Sequence, residues 1–180
     1  MTFSFLAGNL ALDFAASVAS RDTVAEEKLP DADALGEWVT NSHAVAEAPA
    51  ISGAEFGRAI ELREAIYRAA RARATGRRPA AADIAQINAV AAHPTPIPRY
   101  EGDAVVNRGS IDAVLALIAR AAQDALADDR LRPCEGKDCT RLFIDSSRAH
   151  SRRWCGMAGC GDRAKAATYR RHRASSKMSE

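Results

Sequence analysis

Apolar residues recur every three to four positions along much of the chain, the spacing of amphipathic helices. Several of these stripes follow residues that cap helices well, and Ser52 with Glu55 forms a capping box. The pattern predicts helices over residues 31–39, from Ser52 to Gly76, from about Pro79 to Ala91, and from Ser110 to about residue 127. A mainly helical domain is therefore expected.

The first twenty residues support two interpretations. Leu6, Leu10, Phe14 and Val18 are four positions apart, which suits one helical stripe. Gly8 and Asn9 would instead interrupt it, leaving a short strand at 3–6 and a helix from about Leu10. Asp13 lies among apolar neighbours, where it either caps or pairs with a nearby group or lines a ligand pocket.

One small hairpin is expected between the helices. Three prolines in residues 93–98 exclude helix there and favour extended chain. The short β-prone pieces 99–100 and 104–106 flank a Gly-Asp pair, which is typical of a tight turn. The predicted fold class is mainly α (α+β).

Composition supports helix over sheet, because the apolar fraction of 47% is rich in alanine and aromatic residues make up only 6%. No apolar run approaches the roughly 20 residues that span a bilayer. The first twenty residues lack the basic and apolar regions of a secretory leader. A soluble, cytoplasmic protein without membrane association is expected.

The four cysteines, Cys134, Cys139, Cys155 and Cys160, form two C-x4-C pairs separated by fifteen residues. Four thiolates around one ion describe a closed structural zinc site. Two disulfides or free buried thiols are the alternatives, and a reducing compartment disfavours the former. Glycines inside both short loops let the backbone turn close to sulfur. The spacing favours one structural Zn²⁺.

Charge divides the chain. Residues 130–180 hold thirteen Lys and Arg against five Asp and Glu, a net of +8, whereas residues 1–129 hold twelve against eighteen, a net of −6. A basic module on an acidic domain suits a polyanionic partner. We predict a domain over 1–130, a finger over 131–175 and a disordered tail over 176–180.

Within the finger, the pattern predicts a hairpin of residues 142–145 with 150–154, then a helix from about Asp162 to about Arg173. This order is treble-clef-like. Between Cys139 and Cys155 the large apolar residues are only Leu142, Phe143, Ile144 and Trp154. So small a set predicts that metal binding substitutes for a core, and that the finger alone unfolds when the metal is removed.

The cysteine segment resembles the CGNR zinc finger. The matching residues are Leu142-Phe143, Asp145, Ser147, Arg152-Arg153-Trp154-Cys155, Met157, Cys160-Gly161-Asp162-Arg163, Lys165-Ala166 and Tyr169-Arg170. The family tetrad here ends Asp162-Arg163, with Asp where Asn is usual. The resemblance implies a bacterial, stress-induced transcription regulator with an N-terminal ABATE-type domain. It also implies that the finger binds DNA and that the larger domain senses a ligand.

The expected DNA contacts are cationic residues of the finger, where phosphate contacts supply affinity and some arginines read guanine. They are Arg148, Arg152, Arg153, Arg163, Lys165, Arg170, Arg171 and Arg173. RNA binding is one alternative, and a protein-interaction module whose basic face docks on the acidic residues 1–129 of this chain or a neighbour is another. A homodimer that reads paired half-sites would suit the DNA interpretation. Arginines near the end of the Ser52 helix match its dipole or form a second nucleic-acid contact. The chain carries none of the usual hydrolase, phosphate-loop or metalloprotease motifs, so no enzyme is expected.

Overall fold

The computed structural model describes residues 3–177, with side chains described as far as Arg170. Its helices are α1 (Leu10–Ala15), α2 (Ala32–Asn41), α3 (Gly53–Ala74), α4 (Ala81–Ala91), α5 (Ile111–Ala127) and α6 (Asp162–Lys177). Within the described residues, antiparallel pairs form between β1 (Val18–Ala19) and β2 (Glu26–Glu27), β3 (Ile97–Glu101) and β4 (Ala104–Arg108), and β5 (Leu131–Pro133) and β6 (Leu142–Ile144). The mainly helical fold class with small hairpins is confirmed.

Helix α5 is the centre of the core, because α1, α3 and α4 all pack against it. Its stripe of Val114, Ile118 and Ala122 is buried, as the sequence predicts. Trp38 of α2 is also buried, with its ring centroid 5.0 Å from that of Phe14, and is the core anchor expected of it. No helix in residues 3–177 is long and apolar enough to cross a bilayer.

The predicted starts of α2, α3 and α5 are confirmed by side chains that accept backbone N–H bonds. Asp31 accepts from Ala34 at 2.8 Å, Ser110 caps α5, and Ser52 with Glu55 forms both bonds of the capping box. Asn9 caps α1, so the interpretation with a helix from about Leu10 is confirmed. The strand at 3–6 in that interpretation is not formed.

The predicted hairpin between α4 and α5 is confirmed as β3 and β4. Glu101 pairs with Ala104 across a two-residue turn, and Gly102 has a φ of 61°. Glycine adopts this left-handed conformation without a Cβ penalty, which is why the Gly-Asp pair marked the turn. Tyr100 and Val105 form an exposed cross-strand pair on one face of it.

The predicted hairpin inside the finger was wrong. Strand β6 pairs with β5, not with residues 150–154, and the amide of Asp145 continues the ladder to the carbonyl of Arg130 at 2.9 Å. The following segment instead wraps around the buried Asp145 carboxylate, which accepts bonds from Ser147 and from the Arg152 amide. These bonds hold the pKa of Asp145 below its usual range, the Ser147 hydroxyl contributing most.

The finger is not coreless. Phe143, Leu142 and Leu131 are buried in the same apolar cluster as α3 and α5, and three of the four cysteines belong to it. The sequence undercounted this core because the finger's apolar partners lie in the helical domain. Helix α6 continues to Lys177, past the predicted end at Arg173 and into the predicted tail, of which 178–180 lie outside the described residues.

A charged network joins α3 to the finger through the β1–β2 hairpin. Buried Arg63 of α3 donates to both carboxylate oxygens of Glu27 at 2.7 Å. Arg21, between β1 and β2, pairs with Glu64 at 2.6 Å, and its backbone amide donates to Thr140 Oγ1 at 3.2 Å. The hairpin therefore fixes the first cysteine loop against the helical domain.

Candidate metal centre and basic groove

The four cysteine sulfurs converge, each within 4.8 Å of the others. Cys139 Sγ lies 3.9 Å from Cys155 Sγ, which lies 3.8 Å from Cys160 Sγ, so none of these pairs is a disulfide. A tetrahedral Zn²⁺ with sulfurs at ~2.3 Å requires sulfur–sulfur edges of about 3.8 Å. The donor set and its spacing fit a single tetrahedral ion.

Two short loops bring the sulfurs together. The first loop follows β5 and returns at β6, with the Cys134 amide bonded to the Arg141 carbonyl at 2.9 Å. The second runs from Cys155 to Cys160, and its Gly159 has a φ of 117°. A Cβ added at Gly136 would lie 2.7 Å from Cys160 Sγ, so only glycine allows the loops to approach this closely.

Amide and guanidinium groups surround the sulfurs with positive charge. The Cys155 amide donates to Cys134 Sγ at 3.2 Å, and Arg163 Nη2 donates to Cys160 Sγ at 3.1 Å. Hydrogen bonds from Cys139 and Cys155 hold the pKa of Cys134 well below its usual range, whereas the bond to Cys134 raises the pKa of Cys139 to about 11. Four neighbouring thiolates repel one another, and a bound cation removes that obstacle to their joint ionisation.

Replacing Gly136 with Ala should weaken zinc binding about tenfold to a hundredfold, because the new methyl group displaces Cys160 Sγ from the tetrahedron. Competition with a chromophoric chelator measures the affinity. Gly57→Ala in α3 is the control, since a Cβ there meets nothing within 4 Å. Equal zinc affinities of the two variants would show that the close approach at Gly136 does not matter.

Arg152 fastens the finger to the N-terminal segment. Its guanidinium donates to the carbonyls of Leu6 and Trp154 at 2.9 Å, contacts that of Cys155, and stacks 4.4 Å from the centroid of Phe143. Beside it, the Ile144 amide donates to the Ala7 carbonyl at 2.8 Å. The structure thus gives Arg152 a packing role. Its DNA contact stays a prediction, and we leave it out of the proposed nucleic-acid surface.

Arg152→Ala should lower the free energy of unfolding by about 2 kcal/mol, since several backbone carbonyls lose a charged donor. Denaturant unfolding measures this change. The adjacent Arg153→Ala is the matched control, because Arg153 is largely exposed and pairs with Glu135 at the surface. Such a pair contributes about 0–1 kcal/mol. Similar losses in both variants would contradict the role given to Arg152.

Asp13 is buried in the helical domain beside this attachment. Its Oδ1 accepts the amides of Leu6 and Ala7, both at 2.9 Å. Burial raises the pKa of the Asp13 carboxyl, although these two amides oppose the rise. Of the two expectations for Asp13, the structure supports a group that caps the backbone, and Asp13 does not line the large groove described next.

A groove of about 1270 Å³ runs between α6, the two cysteine loops and parts of residues 4–26. We call it the basic groove. Its lining carries five cationic side chains, Lys137, Arg141, Arg153, Arg163 and Arg170, against the carboxylates of Glu26, Glu135 and Asp138. Three of the cysteines also line it, so the metal centre lies in its wall.

The expected nucleic-acid residues divide between this groove and the outer surface. Arg153, Arg163 and Arg170 line the groove. Arg148 and Lys165 are exposed but do not line it. Arg171 and Arg173 lie on α6, and their side chains fall outside the described residues.

Sequence analysis missed Lys137, Arg141 and Leu6 as parts of this region. Lys137 and Arg141 belong to the basic excess already counted in the finger, so the charge pattern contained a signal for them. Leu6 meets Arg152 across 146 positions of sequence, and no local pattern marks that contact.

Comparison with protein families gives two adjoining matches. The ABATE family model, described as "Putative stress-induced transcription regulator", matches residues 8–129. The CGNR zinc finger model matches residues 130–173. The search of curated proteins found no match.

Proposed function

This chain belongs to the ABATE family and carries a CGNR zinc finger, and from that premise we propose that it is a transcription regulator whose zinc-loaded finger binds duplex DNA. The phosphate backbone of the duplex enters the basic groove. The helical domain carries the finger in a fixed orientation through Arg152 and the β1–β2 hairpin.

The observation that carries this proposal is the exposure of α6. None of its described side chains is buried, although the helix is 16 residues long. A short helix without an apolar contact face is marginal in water, so this one is expected to gain stability from a partner. Arg163 and Arg170 lie on the groove side with the small Ala166 and Ala167, which allows close approach of a phosphate backbone.

In this proposal one Zn²⁺ is held by the four thiolates and has a structural role. Four protein ligands leave no open coordination position for water or substrate. We therefore also propose that the chain is not an enzyme. The cation supplies the charge that lets Cys139 and Cys155 ionise beside their neighbours.

RNA is the second candidate, and the aromatic side chains favour it less. Single-strand recognition needs rings on which unpaired bases can stack. Phe143 is fully buried beneath Arg152, and Trp154 is half-buried with Arg153 5.3 Å from its ring centroid. Tyr169 and His150 are the exposed rings of the described finger, and Tyr169 lies on the side of α6 away from the groove.

The test is fluorescence anisotropy with random-sequence duplex DNA and single-stranded RNA across a salt series, with zinc-loaded and zinc-free protein. Each phosphate neutralised contributes about −0.9 to the slope of log K against log salt, so three to five groove contacts give roughly −3 to −5. Equal affinity without zinc, a flat salt response, or preference for single-stranded RNA would refute duplex binding by the finger. Sequencing the duplexes retained then identifies the preferred site.

A further inference from the structure

A second cationic cavity, remote from the cysteines in sequence, lies where α3 ends and α4 begins. Its volume is about 440 Å³, and four arginines line it: Arg68, Arg71, Arg77 and Arg78. Tyr67 and Asp83 also line it, and each bonds to one of these arginines. We propose that this cleft, the arginine cleft, binds a small phosphate-bearing anion.

Two of the four guanidinium groups are held in place by carboxylates. Arg68 donates to Asp83 Oδ1 from Nε at 3.0 Å and from Nη2 at 2.5 Å. Arg71 donates to both oxygens of Asp22, at 2.9 and 2.8 Å, and to the Tyr67 hydroxyl at 2.8 Å. Such bidentate pairs fix the planes of the guanidinium groups, which reduces the ordering cost when a ligand binds.

The other two arginines have no carboxylate partner among the described residues. The Arg77 guanidinium donates to the Thr75 hydroxyl at 3.3 Å, and Arg78 is exposed. Four guanidinium groups against Asp22 and Asp83 leave the cleft with an excess of two positive charges. Arginine forks match the oxygens of phosphate, and the uncompensated charge equals that of one phosphate dianion.

The start of α4 adds donors to the same cleft. Its N-cap residue is Ala80, which offers no side-chain oxygen to the first-turn amides, and Ala80 itself lines the cavity. Free amides at a helix N-terminus favour anions. The arginines supply the charge and this helix end supplies directional hydrogen bonds, so the two features point to one class of ligand.

The dimensions favour a small molecule over nucleic acid. Small-ligand sites commonly enclose roughly 300–1,000 Å³, and the arginine cleft falls within that range. The basic groove shares no lining residue with it. Binding in the arginine cleft is thus independent of the DNA proposal, and either can fail alone.

Inorganic pyrophosphate is the probe, titrated calorimetrically into the full, zinc-loaded chain at constant ionic strength. We expect saturable binding with one site per chain. The double variant Arg77→Ala/Arg78→Ala should bind at least about tenfold more weakly, as expected when charge-assisted bonds worth about 1.4 kcal/mol or more are lost. Arg77 and Arg78 follow the end of α3 and are exposed, so the variant should keep its fold.

Arg73→Ala is the matched control. Arg73 lies in the last turn of α3, a few positions before Arg77, but it does not line the cleft. It should retain the wild-type affinity for pyrophosphate. Absence of saturable binding, or equal affinity in the double variant and the control, overturns the proposal. Loss of pyrophosphate binding in Arg170→Ala instead, or its displacement by a short DNA duplex, would assign the anion to nucleic-acid recognition and overturn it too.

Discussion

Replacing Cys155 with Ser should destabilise the helical domain together with the finger. The expected result is a single unfolding transition whose midpoint lies at least ~10 °C below that of the zinc-loaded wild type. For a chain of this size each kcal/mol shifts the midpoint by about 2–4 °C. A structural zinc site contributes on the order of 10 kcal/mol, which is comparable to the whole stability of many domains.

The reason lies in the shared core. Phe143 is completely buried, and it belongs with Leu131 and Leu142 to the cluster that includes α3 and α5. The finger thus covers apolar surface of the helical domain. This changes the expectation drawn from sequence alone, under which the finger would unfold and leave the other 130 residues intact.

Circular dichroism melts, together with proteolysis of the zinc-free protein, measure how far unfolding extends. Lys137→Ser is the control, because Lys137 is exposed in the first cysteine loop and leaves all four sulfurs in place. Survival of a protease-resistant fragment over about residues 1–130 in Cys155→Ser, with an unchanged melting midpoint, would show that the two parts fold independently.

Local interactions explain which features could be predicted from the sequence. Caps such as Ser52 with Glu55, the Gly102-Asp103 turn and the paired cysteines each act within a few residues, so their signals are local. The pairing of β6 was not predictable in this way. Strands β5 and β6 pair, with Leu131 opposite Ile144, only because both strands reach the core beneath α3. Asp145 then turns the chain that follows away from the sheet.

The basic residues of the finger also show that local sequence patterns do not reveal long-range contacts. Arg152 and Arg153 are neighbours of identical chemistry, and charge patterning treats them alike. One turns inward to Leu6 and Phe143, whereas the other stays exposed beside Glu135. Which arginine faces a nucleic acid depends on contacts across more than a hundred positions of the chain.

The last prediction uses the two sides of α6. Arg170 lines the basic groove, and Lys165 does not. Five positions along a helix give a net rotation of about 140°, which places the two side chains on different sides of α6. Both side chains are exposed, so neither substitution should affect stability. Removing the Arg170 charge should therefore weaken duplex binding more than removing the Lys165 charge.

We expect Arg170→Ala to reduce the affinity for duplex DNA about tenfold at low salt and to lower the salt slope by about 0.9, the contribution of one phosphate contact. Lys165→Ala should change the slope by much less. We prefer Arg170 to Arg163 for this test because Arg163 also donates to Cys160 Sγ, so its loss would affect the metal centre. The reverse order of the two variants would place the DNA on the outer side of α6, and equal slopes in wild type and both variants would remove α6 from the interface.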